Sequence, residues 1–205
     1  MRYLELKESL GGFTVFSLRD IRAVDQTFHR RRLNEWQEKG YIKRIVKGYY
    51  IFSDLELNEG ALFEIANRIY APSYVSLEMA LSYYHLIPEG VYGITSVSTR
   101  KTYRFRTQVA EFSYRTVKPG LFFGFEFVKY DGKVFKIATV EKAILDYLYL
   151  MPHLRTKEDF RGLRLDRDTF YEQVSEEKIS GYLERFANEA LTRRVHALWR
   201  FMENA

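Results

Sequence analysis

Two arginines and an asparagine, Arg30, Arg31 and Asn34, have the residue types and the spacing needed to contact the edges of DNA bases. An arginine guanidinium can bridge O6 and N7 of guanine, and an asparagine amide can pair with adenine. On a helical wheel of residues 28–39 these three side chains fall opposite an apolar arc. The sequence therefore predicts a helix with a DNA-reading face. The predicted contacts of this segment are Gln26, Thr27, Arg30, Arg31 and Asn34.

The bounds of this helix are predicted from its end signals. Asp25 can cap a helix that begins there, and Gly40 is a typical C-terminal glycine stop. A shorter helix precedes it and begins with a cap at Ser17. The connection between the two helices should be a tight turn, as in a helix-turn-helix.

The apolar arc of the second helix indicates which side chains face the core. Phe28, Leu33 and Trp36 lie within about 140° of one another on the wheel. His29 falls inside this arc, so we expect it in the core rather than at DNA. Arg32 lies near the arc and should extend outward to water. Of the three consecutive arginines, we therefore predict Arg30 and Arg31 as the DNA contacts.

Residues 41–52 predict a basic hairpin directly after this helix. Ile42 and Ile45 are apolar, and Lys47 with Gly48 fits the turn. A helix followed by a basic hairpin is the layout of a winged helix-turn-helix, in which the hairpin can contact DNA phosphates. The alternative is a hairpin that only covers the core. The predicted contacts of the hairpin are Lys43, Arg44 and Lys47.

The distribution of charge agrees with a nucleic-acid partner at this end of the chain. Residues 1–52 contain eleven Lys or Arg against six Asp or Glu, which gives a net charge of +5. The whole chain is also +5, from 32 basic and 27 acidic residues, so residues 53–205 balance at 21 against 21. A basic surplus confined to one end is the electrostatic footprint expected of a DNA-binding unit.

The inventory of reactive residues argues against an enzyme. The absence of cysteine excludes disulfides, thiolate zinc sites and cysteine nucleophiles, and the four histidines have no metal-ligand spacing. No phosphate-cradling loop or hydrolase motif occurs. Asp166 and Asp168 have the spacing of two-metal phosphoryl-transfer sites but lack an upstream Gly-Ser motif. We predict no catalytic residue, metal or cofactor; an enzyme acting on nucleic acid is the least favoured hypothesis.

Two further carboxylates, Glu141 and Asp146, lie on one predicted helix. They are five residues apart and so face different sides of that helix. Glu141 fits the favourable acidic position in the first helical turn. We therefore predict no joint catalytic role for this pair.

The remaining bulk properties predict a soluble cytoplasmic protein with no membrane partner. Hydrophobic residues make up 46% of the chain and aromatic residues 17%, which is enough for a packed core. No stretch approaches the roughly 20 apolar residues that span a bilayer. The first residues include acids where a signal peptide needs an apolar run.

The pattern changes near residues 53–58, where we place a domain border. The predicted fold class is α+β, with a DNA-binding domain over 1–56 and a mixed α/β domain with a mostly antiparallel sheet over 57–205. Helices are predicted over 59–69, 76–86, 139–150, 168–174, 176–187 and 188–203. Strands are predicted over 91–99, 103–107, 109–117, 121–130 and 134–138, and residues 160–167 are predicted to be irregular.

A second basic patch occurs between residues 100 and 118, where six basic residues accompany one acid, Glu111. Strand alternation places Tyr103 and Phe105 on one face as buried aromatics, and Arg104 and Arg106 on the other. Three interpretations stay open: contact with nucleic acid, contact with an acidic protein partner, or a solvated sheet face. The residues of this patch are Arg100, Lys101, Arg104, Arg106, Arg115 and Lys118.

Four stretches of the chain, in this order, resemble the AbiEi-type antitoxins of bacterial type IV toxin-antitoxin (abortive infection) systems. The likeness runs from about residue 13 to 150. The stretches are the helix-glycine-hairpin unit at 33–50, the segment 71–81 followed by Tyr-Tyr-His-Leu-Ile-Pro at 83–88, the Thr-Arg-Lys at 99–101, and the segment 135–146.

The resemblance implies a function as well as a fold. It implies an N-terminal winged helix-turn-helix that represses its own operon, and a C-terminal α/β domain. It further implies an antitoxin, with a role in phage defence, whose partners are double-stranded operator DNA and a nucleotidyltransferase-like toxin. The alternative is a protein-interaction module that neutralises a toxin or another partner, with DNA binding secondary or lost.

Overall fold

A computed structural model describes residues 1–88 and 93–204 of the chain. The N-terminal part contains α1 (Tyr3–Leu10), β1 (Phe16–Ser17), α2 (Leu18–Val24), α3 (Arg31–Glu38), β2 (Ile42–Val46) and β3 (Tyr49–Phe52). The rest contains α4 (Glu59–Ile69), β4 (Ser73–Val75), α5 (Leu77–Tyr83), β5 (Gly93–Ser98), β6 (Tyr103–Arg106), β7 (Glu111–Thr116), β8 (Phe125–Tyr130), β9 (Lys133–Ala138), α6 (Val140–Leu150), α7 (Lys157–Leu163), α8 (Arg167–Gln173), α9 (Glu176–Phe186) and α10 (Glu189–Glu203). The fold is therefore mixed α+β, as predicted.

The N-terminal part consists of three helices and a three-stranded antiparallel sheet in the order β1-β3-β2. Ser17 caps α2 as predicted, since its hydroxyl oxygen accepts from the Asp20 N–H and the Asp20 carboxylate accepts from the Ser17 N–H. The helices and one sheet face enclose a small apolar core. Its buried residues are Leu6, Leu10, Phe16, Ile21, Phe28, Leu33, Trp36, Ile42, Tyr50 and Phe52.

The other face of this sheet packs against the rest of the protein. Tyr50 belongs to the small core, whereas its neighbour Ile51 belongs to the large C-terminal core. The register of β2 shifts between Arg44 and Val46, so Ile45 also turns into the large core. The sheet therefore lies between two apolar cores and joins the two parts of the chain.

Polar contacts reinforce this junction. The carboxylate of Glu64 on α4 accepts hydrogen bonds from the hydroxyls of Thr14 and Tyr130, the latter at 2.7 Å. The guanidinium of Arg68 lies 3.4 Å from the Asp20 carboxylate. Because these contacts link the first 20 residues to α4 and β8, the proposed border near residue 56 is not a free linker.

The start of α3 differs from the prediction. The helix begins at Arg31, and Asp25 ends α2 instead of starting the next helix. Residues 25–30 therefore form a six-residue connection, longer than a tight turn. The helical wheel does not apply before residue 31, so His29 is exposed, and its predicted core position was wrong.

The second sheet has six strands in the order β6-β7-β5-β4-β9-β8. Among the described residues, β5 with β7 and β4 with β9 pair in parallel, and the other three pairings are antiparallel. The sheet is therefore mixed, and the prediction of a mostly antiparallel sheet was too simple. The order interleaves distant strands, which local turn signals cannot indicate.

The bounds of most C-terminal elements agree with the sequence pattern. The helix Glu59–Ile69 has the predicted ends, and the last three helices agree within one residue. Two short elements were missed: β4, which is fully buried, and α7, which begins with a capping box at Thr156 in a segment predicted to be partly irregular. The first two residues of the strand predicted over 91–99 lie outside the described residues.

A buried ion pair lies at the centre of the large core. Lys142 and Asp146, both fully buried, pair along one face of α6. Burial lowers the pKa of Lys142 and raises the pKa of Asp146, and their mutual attraction opposes both shifts. The Lys142 stem packs on Gly124, where φ is +69° and a Cβ would come within 3.0 Å of the lysine Cγ. Glycine therefore fits both the backbone and the contact.

Within the described residues, no helix has the length and apolar composition needed to cross a membrane.

Candidate nucleic-acid interface

The α3 helix separates a buried face from an exposed basic one. Leu33 and Trp36 are buried in the small core, at 1% and 5% exposure. Arg30, Arg31 and Asn34 are all exposed. The structure therefore places these three predicted contacts at the N-terminal end of one helix, where side chains can reach a ligand.

The connection before α3 holds the other two predicted contacts, Gln26 and Thr27, and both are exposed. The Asp25 carboxylate accepts from the Thr27 N–H at 3.0 Å and from the Thr27 hydroxyl at 2.7 Å. This hydrogen bonding, helped by the N-terminal ammonium 3.1 Å away, lowers the pKa of Asp25. Thr27 is thus fixed in a turn before α3 rather than in the helix itself.

The three consecutive arginines differ in their partners. Arg31 lies 3.8 Å from the Glu35 carboxylate one turn along α3, in an exposed pair. The Arg32 guanidinium donates a hydrogen bond to the Met1 carbonyl. Arg30 has no ion pair or hydrogen-bond partner for its side chain among the described residues. Its charge is therefore the least compensated of the three.

The hairpin β2–β3 presents its cations on two sides. Lys43 is opposite Ile51 in the ladder and Arg44 is opposite Tyr50, so the two side chains leave opposite faces of the sheet. Arg44 is on the face that carries the helices. Lys47 is exposed in the turn beside Gly48, whose φ of +91° favours glycine. The basic side chains of the predicted wing therefore lie along the hairpin and at its tip, and they do not form one flat surface.

The positive charge of this surface is not neutralised by acidic side chains of the described residues. Within residues 1–88 and 93–204, no acid lies within ion-pair distance of Arg30, Lys43, Arg44 or Lys47. Exposed cations that no acidic side chain neutralises keep their full attraction for phosphates, and their binding releases the counterions condensed on the DNA. The α3 face and the hairpin together form the candidate interface.

The positive charge of the second basic patch is neutralised by a neighbouring acid to a greater extent than its sequence suggests. Arg104 and Arg106 on β6 both pair with Glu111 on the neighbouring strand, at 3.2 Å and 3.1 Å. β6 is an edge strand, and charges on an edge hinder pairing with another sheet. Glu111 thus offsets part of the positive charge of these two arginines.

Two further members of the patch have contacts inside the protein. The Arg100 guanidinium lies 4.0 Å from the Tyr70 ring centroid and donates to the Ala71 carbonyl at 3.3 Å. Arg115 donates to the Leu150 carbonyl at 3.3 Å. The other two members, Lys101 and Lys118, are exposed and have no side-chain partner among the described residues.

The aromatic face of β6 differs from its prediction. Phe105 is partly buried, but Tyr103 is 53% exposed, so its predicted burial was wrong. The physical reason is the edge position, because nothing among the described residues covers the outer side of β6. The Tyr103 ring stacks on Tyr70 and lies tilted against Phe105, with centroid distances of 6.1 Å and 4.7 Å. Tyr103 is therefore an exposed tyrosine whose ring is supported by two neighbouring aromatic rings.

No protein-family model matches this chain, and no curated protein matches it in sequence. The resemblance to the AbiEi-type antitoxins therefore depends on the four motifs themselves. Two of these motifs meet in space, because Tyr74 and Ser76 of the second contact Lys142 and Asp146 of the fourth. What these motifs share is a buried polar cluster.

One exposed side chain at the interface was missed from the sequence. His29 precedes Arg30 and is exposed beside it. The break in helical phase after Asp25 hid it, since the wheel assumed a continuous helix. A clearer signal for its exposure is its place within a run of four polar residues, 29–32.

Proposed function

We propose that residues 1–52 form a winged helix-turn-helix and that the protein binds double-stranded DNA through it. The observation that carries the proposal is that the hairpin β2–β3 directly follows α3 and that both have exposed basic side chains. Arg30, Arg31 and Asn34 are exposed at the start of α3, and Lys47 is exposed at the hairpin tip. In a winged helix the recognition helix enters the major groove and the wing contacts the backbone.

The assignment of roles follows from side-chain chemistry. Arg30 and Arg31 suit guanine edges and Asn34 suits adenine, so α3 supplies sequence specificity. The hairpin supplies affinity through contacts with DNA phosphates, made by Lys43, Arg44 and Lys47. Contacts with phosphates carry no information about the base sequence. Gln26 and Thr27 lie in the turn and support this contact. The protein acts as a sequence-specific transcriptional repressor.

The biological setting that we propose comes from the motif resemblance. The protein represses its own toxin-antitoxin operon in the cytoplasm and is the antitoxin to a nucleotidyltransferase-like toxin. This part of the proposal depends on the neighbouring gene. If the adjacent gene encodes no such protein, the antitoxin role loses its main support.

The DNA-binding proposal is tested with the full-length chain. Fluorescence anisotropy is measured on labelled DNA from upstream of its own gene, and on scrambled DNA of equal composition, at one stated salt concentration. We expect the upstream DNA to bind at least about a thousandfold more tightly, the low end of known specificity ratios. Equal affinity for the two DNAs would contradict sequence-specific repression. The isolated N-terminal part is unsuitable, because it would expose Val15, Ile45 and Ile51 of the large core.

A second candidate function is protein-partner binding through the β6 edge. The observation that favours it is Tyr103, a large aromatic side chain that is 53% exposed beside Arg104. Tyrosine and arginine are both enriched in protein interfaces. In this alternative the protein neutralises a toxin or another partner through β6, and DNA binding is secondary. Both functions can coexist, since the two surfaces share no residue.

A further inference from the structure

One face of α10 and the loop between α6 and α7 bring three arginines together. Arg193 and Arg194 lie on the same helix face as Ala190 and Ala197, with helical spacing, and Arg155 comes from the loop. The five residues line a pocket of about 410 Å³. The pocket is in the C-terminal region, outside the motif resemblance, and it shares no residue with the two basic surfaces described above.

Arg194 has no partner inside the described part of the protein. Its side chain is almost fully buried, with the residue only 8% exposed. The buried Nε has no acceptor, and its guanidinium makes no hydrogen bond or ion pair with any described residue. Buried charges in proteins are normally paired and hydrogen-bonded, because desolvation without compensation is unfavourable. Burial, followed by the charges of Arg155 and Arg193, lowers the pKa of Arg194.

The two neighbouring arginines also have few contacts with the described residues. The Nε of Arg155 donates to the Pro152 carbonyl at 2.7 Å, and its terminal nitrogens make no hydrogen bond or ion pair with the described residues. Arg193 lies 3.5 Å from the Glu189 carboxylate in a largely exposed pair, which is easily exchanged for another anion.

The acid that contacts this loop, Asp159, does not pair with an arginine side chain of the cluster. The Asp159 carboxylate accepts hydrogen bonds from the backbone N–H groups of Arg155 and Thr156, at 2.9 Å and 2.8 Å. These bonds form the cap at the start of α7. The Asp159 charge is therefore directed at the backbone and not at a guanidinium.

We propose that this pocket binds the phosphate group of a small molecule, with Arg155, Arg193 and Arg194 as donors. A guanidinium presents a planar fork of N–H groups that matches two oxygens of a phosphate. An anion in the pocket would offset the charge of Arg194, whose buried Nε has no acceptor among the described residues. The volume falls within the range of about 300–1,000 Å³ that is typical of ligand pockets. It leaves space beyond one phosphate, and Ala190 and Ala197 provide an apolar wall for an organic moiety.

The proposal is tested by isothermal titration calorimetry on the full-length, DNA-free protein at ionic strength held constant with potassium chloride. The probes are inorganic phosphate, glycerol 3-phosphate, adenosine monophosphate and adenosine. We expect inorganic phosphate to bind, at least one of the two esters to bind more tightly, and adenosine not to bind. The assay contains no DNA, so its result is independent of the proposed repressor function.

Variants locate the binding to the pocket. We expect Arg194→Met and Arg155→Gln each to weaken ester binding about tenfold or more, the scale of removing one hydrogen bond to a charged group. Arg200→Gln, an exposed arginine farther along α10, is the matched control and should leave the affinity unchanged. Arg155 is exposed, so its variant tests the site even if Arg194→Met folds poorly.

Three results would overturn the proposal. The first is no binding of phosphate or of either ester above the chloride background. The second is unchanged affinity in the Arg155→Gln variant. The third is that neither ester binds more tightly than inorganic phosphate, which would leave the organic part of the ligand without support.

Discussion

The Nζ of Lys142 lies 2.8 Å from the hydroxyl oxygen of Tyr74, in the fully buried centre of the large core. The same tyrosine hydroxyl donates to Asp146 at 2.8 Å, and the Ser76 hydroxyl donates to the same carboxylate oxygen at 2.9 Å. The Lys142 ammonium is also within 5.1 Å of the ring centroid of Phe123. Two residues 68 positions apart thus share one polar network.

The network should make Lys142 and Asp146 strongly interdependent in stability. We expect Lys142→Met alone to cost about 3–5 kcal/mol, because it leaves an unpaired buried carboxylate. Adding Asp146→Leu should recover part of that loss, so the double variant costs less than the sum of the singles. Urea denaturation of the unsubstituted protein, the two single variants and the double variant measures the coupling. Additive losses would show that the pair does not function as a unit.

The α3 face should carry sequence specificity. We expect Arg30→Ala with Arg31→Ala to weaken binding to the upstream DNA by about 1–3 kcal/mol for each base interaction that the variant removes, and to weaken binding to scrambled DNA much less. The control is Arg161→Ala with Arg200→Ala, which removes the same charge from exposed positions on α7 and α10. Anisotropy titrations give both affinities. Unchanged affinity for the upstream DNA would contradict the assignment of α3.

The hairpin tip should add affinity without specificity. We expect Lys47→Gln to weaken binding to upstream and scrambled DNA about equally, because a phosphate contact carries no base information. The slope of log K against log salt should fall by about 0.9, since the variant removes one phosphate interaction. Lys129→Gln, an exposed lysine on β8, should change neither quantity. A reduction confined to the upstream DNA would show that Lys47 contacts bases.

The β6 edge separates the partner-binding function from DNA binding. Reversing Arg104 and Arg106 to acids would repel Glu111, so neutral replacements preserve the fold better. We expect Tyr103→Ala to reduce toxin neutralisation in co-expression while affinity for the upstream DNA stays unchanged. We expect the same result from a second variant that combines Arg104→Gln, Arg106→Gln and Glu111→Gln. Loss of DNA affinity with its salt dependence would assign β6 to DNA. If neither toxin neutralisation nor DNA affinity changes, the outer face of β6 is only a solvated sheet face.

The shared sheet predicts that the two parts of the chain unfold together. The chain has two tryptophans: Trp36 lies in the small core, and Trp199 lies on α10 against Phe170. We expect the single-tryptophan variants Trp36→Phe and Trp199→Phe each to show one transition. After correction for the cost of each substitution, measured by circular dichroism, the fluorescence midpoints should coincide. An earlier transition at Trp36 would indicate an independent N-terminal domain.

Local sequence signals were sufficient for much of the secondary structure. The helix over Glu59–Ile69 was predicted with its correct ends, because an Asn58 cap and a clear apolar face lie within a short stretch of the chain. The hairpin turn at Lys47 and Gly48 was predicted for the same reason. The exposure of Arg31 and Asn34 on α3 also followed from local periodicity. In each case the determining interactions are close along the chain.

What the sequence by itself determined was therefore most of the helices and strands, the basic N-terminal surplus and the exposed residues of α3. The tertiary structure decided the parallel pairing of β5 with β7, the exposure of Tyr103 at an edge, and the compensation of Arg104 by Glu111. It also decided that Arg194 is buried beside Arg155 without an acceptor among the described residues. These features depend on which distant segments pack together, and burial and counterions are properties of that packing rather than of local spacing.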